Sequence, residues 1–381
     1  MKLLHTSDWH LGMALRGGFS YAIDQKYVIN EICKIAVNEG VDGILIAGDV
    51  FDKSIASQEA IKMCDEIITY ICANLKIPIF MIAGNHDGSE RISQFSELLV
   101  NSGLYIAGSL RDQVNVINMD DVDVFLLPWI STDKVKTVFP DKAEEIDSME
   151  DAYRVVLDHY RDKFVKGHKN ILVAHAFIVD AETSVSDRAA EVGRATAVGS
   201  GIFDGFDYVA LGHLHGPQDI TENIRYSGSP MAYAFGKEEK QTKSVTIIDT
   251  DNLSHKVVPI PQLHKRSTLK GTYDELIKAD FDDEVVDGYV RLEVTDSYVG
   301  MDTYAALHEK YKNLLEVSGK GFEREDAKIT MTMDEFESVN TDPEAVFAQY
   351  CMDTMEEKPS DHLLKLFKAA VKKYEKEVTE E

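Results

Sequence analysis

The chain has 381 residues, 44% hydrophobic and 28% charged, with a formal net charge of −26. This length and composition suggest two or three globular domains with a sizeable core. So acidic a balance argues against a protein that grips nucleic acid unaided, since phosphate contacts call on Lys and Arg; it leaves open an enzyme that meets phosphate through metal ions, or one held on DNA by a partner.

The first residues lack the pattern of a signal peptide, and no apolar run approaches the ~20 residues needed to cross a bilayer, so a soluble cytoplasmic protein is expected. Cys33, Cys64, Cys72 and Cys351 form no CxxC pair and read as reduced thiols, most of them buried.

Short apolar runs rich in Ile, Val, Leu and Phe fall at residues 2–5, 43–47, 77–83, 122–128, 170–174, 208–211 and 244–249. Each has the length and punctuation of a strand. Between the first two, residues 23–40 carry Tyr27, Val28, Ile32, Ile35 and Ala36 at helical spacing, with Gly40 as a C-terminal stop. Residues 57–75 read as a second helix. This alternation predicts strands covered by helices, with a more strand-rich second half.

The stretch "VPIPQLHKRST", residues 258–268, reads as a linker. Beyond it the sequence predicts a strand at 288–295, a strand at 328–333, and between them an amphipathic helix at 303–317. That helix carries Tyr304, Leu307, Tyr311, Leu314 and Leu315 on one face. These make a small α+β unit. Asp342-Pro343 then opens a helix through Val346, Phe347, Tyr350 and Cys351, and Ser360 caps another bearing Leu363, Leu364, Phe367, Ala370, Val371 and Tyr374. Two short helices make little core alone. Either they dock on their own domain or their apolar stripe meets a partner.

The chemistry lies where the apolar runs stop. "LLHTSDWH" ends with Asp8 and His10, "ILIAGDVFD" with Asp49, and "IFMIAGNHDGSER" with Asn85, His86 and Asp87; "ILVAHA" ends with His175 and "VALGHLH" with His213 and His215. Singly, each is a plausible turn. Together they place five of the twelve histidines at apolar strand ends, and in open α/β sheets the carboxyl ends of strands face the ligand crevice. The remaining seven histidines, His5 among them, read as structural or solvated.

Imidazole, carboxylate and carboxamide donors suit Mn²⁺, Fe²⁺ or Zn²⁺ better than Ca²⁺, and the lack of thiolate argues against a structural zinc site. Asp49 is the natural bridge between two ions. Paired ions about 3.5–4 Å apart hold a hydroxide and clamp a phosphoryl group for in-line attack. His86, beside Asn85, is then free to meet the leaving oxygen as a general acid.

The series D-x-H, G-D, G-N-H-D, H and G-H-x-H resembles the calcineurin-like metallophosphoesterase superfamily. The resemblance implies an α/β (α+β layered) β-sandwich flanked by helices. It assigns Asp8, His10, Asp49 and His215 to a first ion, and Asp49, Asn85, His175 and His213 to a second. His86 matches the family's catalytic histidine. Within the superfamily, "LHTSDWHLG", "AGNHDGSER", "FDGFDYVALGHLHGPQ" and "RYSGSPMAYAFGKEEKQTKSV" resemble the nuclease subunits that work with a coiled-coil ATPase in DNA double-strand-break processing.

This narrower resemblance spans the chain. It implies a phosphoesterase domain at 1–260, a capping domain at 268–336 and a C-terminal helical segment at 340–381 that binds the ATPase partner. It also implies two divalent ions, most favourably Mn²⁺, acting on DNA, and a homodimer within a heterotetramer. The ATPase would supply much of the DNA grip, which reconciles the acidic charge with a DNA substrate. Asp52 stands where many relatives carry a histidine, which puts that histidine's function in doubt here. Arg91 reads equally as a contact to a substrate phosphate or as the partner of a nearby carboxylate. Two other readings compete: a metallophosphatase acting on small molecules or proteins at the same site, and a scaffold that has lost its metals, which the intact donor set disfavours.

Overall fold

The computed structural model describes residues 1–14, 20–179, 181–184, 187, 197–296, 301–319 and 364–368. In chain order, β1 (Lys2–Thr6) leads into the helix Ala22–Glu39, then β2 (Gly43–Ile46) and the helix Gln58–Thr69. Next come β3 (Ile79–Ile82), β4 (Leu104–Ala107), β5 (Val116–Met119) and β6 (Val122–Leu127). The helix Met149–Arg161 precedes β7 (Lys169–His175), β8 (Tyr208–Gly212), β9 (Gln218–Asp219) and β10 (Ile224–Tyr226). The series closes with β11 (Ser244–Asp249), β12 (Ser254–Pro259), β13 (Arg266–Gly271), β14 (Tyr289–Val294) and β15 (Asn313–Gly319).

Two six-stranded sheets, ordered β12-β11-β1-β2-β3-β4 and β5-β6-β7-β8-β10-β9, pack face to face. In the first, β1 to β4 are mutually parallel and β11 runs antiparallel to β1. In the second, β6, β7, β8 and β10 are parallel. Side chains alternate along each strand. Leu3, Leu45, Phe80 and Ile82 meet Val124, Leu126, Ile171 and Ala210 between the sheets. Their neighbours Leu4, Ile44, Ile46 and Met81 turn outward beneath Val28, Ile32 and Met63 of the first two helices. On the other side Phe125, Leu172 and Val209 lie under Tyr153, Val156 and Tyr160. This is the expected sandwich flanked by helices. The central strands are buried on both faces, which is why they read as continuous apolar runs.

Three elements depart from the sequence expectation. The second helix is regular only to Thr69; residues 70–75 wind into wider π turns that end at Lys76 in the left-handed region, φ 59°. The stretch 258–268 is strand at both ends, because β12 runs to Pro259 and β13 starts at Arg266. The helix expected over 303–317 stops at Lys310, and residues 313–319 form β15 beside β14. Buried Tyr311 is the pivot, its hydroxyl donating to the Leu276 carbonyl at 2.7 Å. Asn313 Nδ2 donates to the Asp287 carbonyl at 2.7 Å and anchors the new strand. Tyr311, Leu314 and Leu315 keep the i, i+3, i+4 spacing of a helix, so the pattern points to the wrong element here.

The sheet β13-β14-β15 belongs to the same compact unit as the sandwich, comprising residues 1–295 and 300–318. It is fastened by the Arg266 guanidinium, which lies over the rings of Tyr21, Phe235 and Tyr289 while Nε donates to the Ala232 carbonyl at 2.8 Å. A second unit comprises residues 296–299 and 319–381, of which the structure describes 296, 319 and a helical stretch at 364–368. The expected strand at 328–333 and the helix from Asp342 lie outside the described residues. Among those described, no helix is long and apolar enough to cross a membrane.

Candidate metal centre

Asp8 and His10 follow β1, Asp49 follows β2, and Asn85 and His86 follow β3. From the second sheet, His175 is the last residue of β7, and His213 and His215 follow β8. Within each sheet these strands run parallel to one another, so all five carboxyl ends open on the same edge of the sandwich. The structure brings all eight side chains together there.

The donors form two groups that meet at Asp49. His10 Nε2 lies 3.1 Å from His215 Nε2 and 3.8 Å from Asp49 Oδ2, and Asp8, His10 and His215 cluster within ligating reach of one point. Opposite them, His175 Nε2 lies 3.4 Å from Asp49 Oδ2 and 2.9 Å from Asn85 Oδ1, which is itself 3.1 Å from His213 Nδ1. Separations near 3 Å are those of adjacent donors sharing an ion at about 2.1 Å.

The hydrogen bonds settle which nitrogens are available. His175 Nδ1 donates to the Ala47 carbonyl at 2.8 Å, leaving Nε2 as the atom turned to Asn85 and Asp49. His86 Nδ1 donates to the Asp52 carbonyl at 2.8 Å, which leaves its Nε2 free for chemistry; its backbone N–H donates to Asp49 Oδ1 at 2.9 Å.

Electrostatics agree with a cation site. Burial drives His10 and His215 below the ordinary imidazole range and takes His213 down to about 3, its neighbour His175 adding to the effect. These rings are therefore neutral, as ligation requires. Burial raises Asp8 to about 8, with the Asp49 charge adding to it. For Asp49 burial is the largest single influence and works the same way, but the charge and hydrogen bond of His175, together with His10 and His86, outweigh it and hold this carboxyl well below the usual range. The reciprocal attraction overcomes the burial of His175 and lifts it to about 9. Without a metal, Asp8 thus keeps a proton and His175 a charge; a bound divalent cation would displace both protons and leave carboxylates and neutral imidazoles as its donors, a set that fits such ions.

The backbone is bent to bring these groups in. Asp8, His10 and Asp49 sit in the left-handed region with φ of 53°, 44° and 50°, and His213 has φ of 109°. Such conformations cost of order 1–3 kcal/mol each and persist where the surroundings enforce them. Two glycines permit the close approach. A Cβ on Gly84 would run into Asp49 Oδ1, and one on Gly212 would run into the Ala47 carbonyl oxygen.

Several contributors were not assigned from the sequence. Asp87, buried, accepts from the backbone N–H groups of Phe51 at 2.8 Å, Gly84 at 2.9 Å and Val50 at 3.2 Å, so it ties the Asp49 loop to the Asn85 loop. Its place beside His86 was the available signal. Asp187, Glu238 and Lys243 are buried behind His215, and no strand end or spacing marked them. Arg91 Nη1 donates to the Ser54 carbonyl at 3.0 Å and so braces the loop after Asp49. His5, read as structural, is fully buried between the sheets.

A family model described as calcineurin-like phosphoesterase matches residues 1–217. The SbcD subunit of nuclease SbcCD from Staphylococcus epidermidis is 35% identical over 85% of this chain and 86% of its own length. The protein of the same name from Staphylococcus saprophyticus is 31% identical over the same shares. Among solved structures, TT1561 of Thermus thermophilus aligns with a TM-score of 0.39 at 11% identity, covering 68% of this chain and 99% of that one.

Proposed function

We propose, on the premise that this chain belongs to the calcineurin-like phosphoesterase family and to its SbcD branch, that it is the nuclease subunit of an SbcCD-type complex. It hydrolyses DNA phosphodiester bonds, as an exonuclease on duplex ends and an endonuclease on single strands and hairpins, in repair, recombination and replication. The observation that carries this reading is the pair of buried donor sets joined at Asp49.

Asp8, His10, Asp49 and His215 would hold one divalent ion, and Asp49, Asn85, His175 and His213 the other, with Mn²⁺ the best match to mixed N and O donors. Two such ions, when bound, would supply activation of water for attack and charge neutralisation at the phosphoryl group. His86 acts beside them. Its Nδ1–H is committed to the Asp52 carbonyl, so Nε2 is the atom that meets the leaving oxygen, giving it a proton or stabilising its charge. Asp49 orients His86 by accepting its backbone N–H. Arg91 shapes the neighbouring loop and is a secondary candidate for a substrate phosphate.

Residues 1–260 form the nuclease domain, 268–336 the cap, and 340–381 the segment that docks on an SbcC-type coiled-coil ATPase. With a net charge of −26, much of the DNA affinity falls to that partner in a cytoplasmic heterotetramer built on a homodimer of this chain. The test is cleavage of hairpin and linear duplex DNA with Mn²⁺, with and without the ATPase. Cleavage of both is expected. Absence of DNA cleavage together with fast hydrolysis of a nucleotide monoester would refute the reading in favour of a metallophosphatase.

A further inference from the structure

Donors from two different sheets must hold a common geometry, so something has to fix one sheet's loop against the other's. Lys243 lies immediately before β11, the strand that pairs with β1 in the first sheet. His215 follows β8 in the second sheet. Lys243 is 3% exposed, and its Nζ donates to the His215 carbonyl at 2.8 Å, to Ser229 Oγ at 3.0 Å and to Glu238 Oε2 at 3.3 Å. An ammonium has three donors, and each finds an acceptor here.

The other atoms of His215 are held in the same way. Its backbone N–H donates to Asp187 Oδ1 at 2.9 Å, and its carbonyl also accepts from Ser229 N at 3.1 Å. Its Nδ1 faces Asp187 Oδ1 at 3.7 Å and Glu238 Oε1 at 4.0 Å, while Nε2 points to His10. Glu238, 1% exposed, also accepts from the Tyr233 N–H at 2.9 Å, and the Tyr233 ring packs against both His10 and His215.

We infer that Lys243 and Glu238 are positioning residues, a buried ion pair that locks His215 to the first sheet and so sets the geometry of the donor group Asp8, His10 and His215. The ammonium holds the backbone, and the carboxylates face the ring nitrogen turned away from His10, the arrangement in which an outer carboxylate orients a ligating imidazole. Burying this pair is costly unless every donor and acceptor is matched, and it is matched here around one histidine. Across the centre, His175 is held separately, its Nδ1–H donating to the Ala47 carbonyl at 2.8 Å. The pair therefore acts on one donor group of two, and its role rests on the metal-dependent reading above.

The test is Mn²⁺ titration of the full chain by calorimetry and electron paramagnetic resonance, in the parent and in Lys243→Met. The parent is expected to bind two ions that give the signal of a coupled pair. The variant should lose about 10–100-fold in affinity at one site only, and show the six-line spectrum of an isolated ion at one equivalent. Circular dichroism checks that it folds. Should Lys243→Met fail to fold, Glu238→Gln keeps the volume and an acceptor for Tyr233 while removing the charge, and weakening of one site is again expected. Unchanged affinity at both sites in the folded variant, or equal weakening of both, overturns the inference and leaves the functional reading intact. A parent that takes up no Mn²⁺ overturns both.

Discussion

His5 offers a prediction in which magnitude decides. It lies fully buried on β1, with Nε2–H donating to the Leu211 carbonyl at 3.1 Å and Nδ1 accepting from the Tyr208 hydroxyl at 3.3 Å. That arrangement requires a neutral ring. Burial takes its pKa down to about 3, with the nearby charge of Arg225 adding to the effect against the opposing Leu211 hydrogen bond. In the unfolded chain the ring takes up its proton near pH 6.5. Between those values the unfolded state binds the extra proton, so stability falls as pH falls, by up to about 1.4 kcal/mol per pH unit. Across the window the loss attributable to His5 is on the order of 5 kcal/mol. In His5→Phe, the Leu211 carbonyl and the Tyr208 hydroxyl lose their partner, costing about 2–4 kcal/mol at pH 7. The variant has no proton to take up, however, so the gap should close on acidification and vanish between about pH 3.5 and 5. Urea denaturation of metal-free protein at about pH 7, 5.5 and 4 measures this, and the other buried histidines cancel in the difference. Parallel pH profiles for parent and variant would refute the reasoning.

Three further outcomes are expected. His86→Ala should retain both metal ions by elemental analysis and lose roughly 10²–10⁴-fold in turnover; loss of metal would instead place His86 in the ligand shell. Gly84→Ala drives a Cβ into the Asp49 carboxylate and should weaken Mn²⁺ binding at least about tenfold, since Asp49 serves both donor groups; parent-like titration would show that the loop yields. Removing residues from about 340 onward should leave the nuclease unit folded, by circular dichroism, but unable to co-purify with the ATPase subunit. Undiminished co-purification would put the partner surface elsewhere.

The seven apolar runs all became strands, because a strand covered on both faces has no choice but to be apolar along its length. Strands with an exposed side or only two or three residues escaped notice. β5 is only half covered, β9 has two residues and β10 three. The stretch 313–319 carries apolar residues at helical spacing, and pairing with β14 overrides that local pattern to make it a strand. The eight site residues were visible because each ends a run. Glu238 and Lys243 sat inside a recognisable motif without a visible role, because a buried ion pair separated by five residues looks like any other pair of surface charges.

Local chemistry along the chain was therefore enough to determine which residues could be donors, and that they stand at strand ends. It did not determine which donors face each other. His10 meets His215 across 205 residues, and His175 meets Asn85 across 90. Those partners are chosen by the order of strands within each sheet and by the packing of one sheet on the other. Both are properties of the assembled core, where burying Leu3, Phe80, Val124 and Ile171 against one another sets the distance between two loops that sequence spacing never relates.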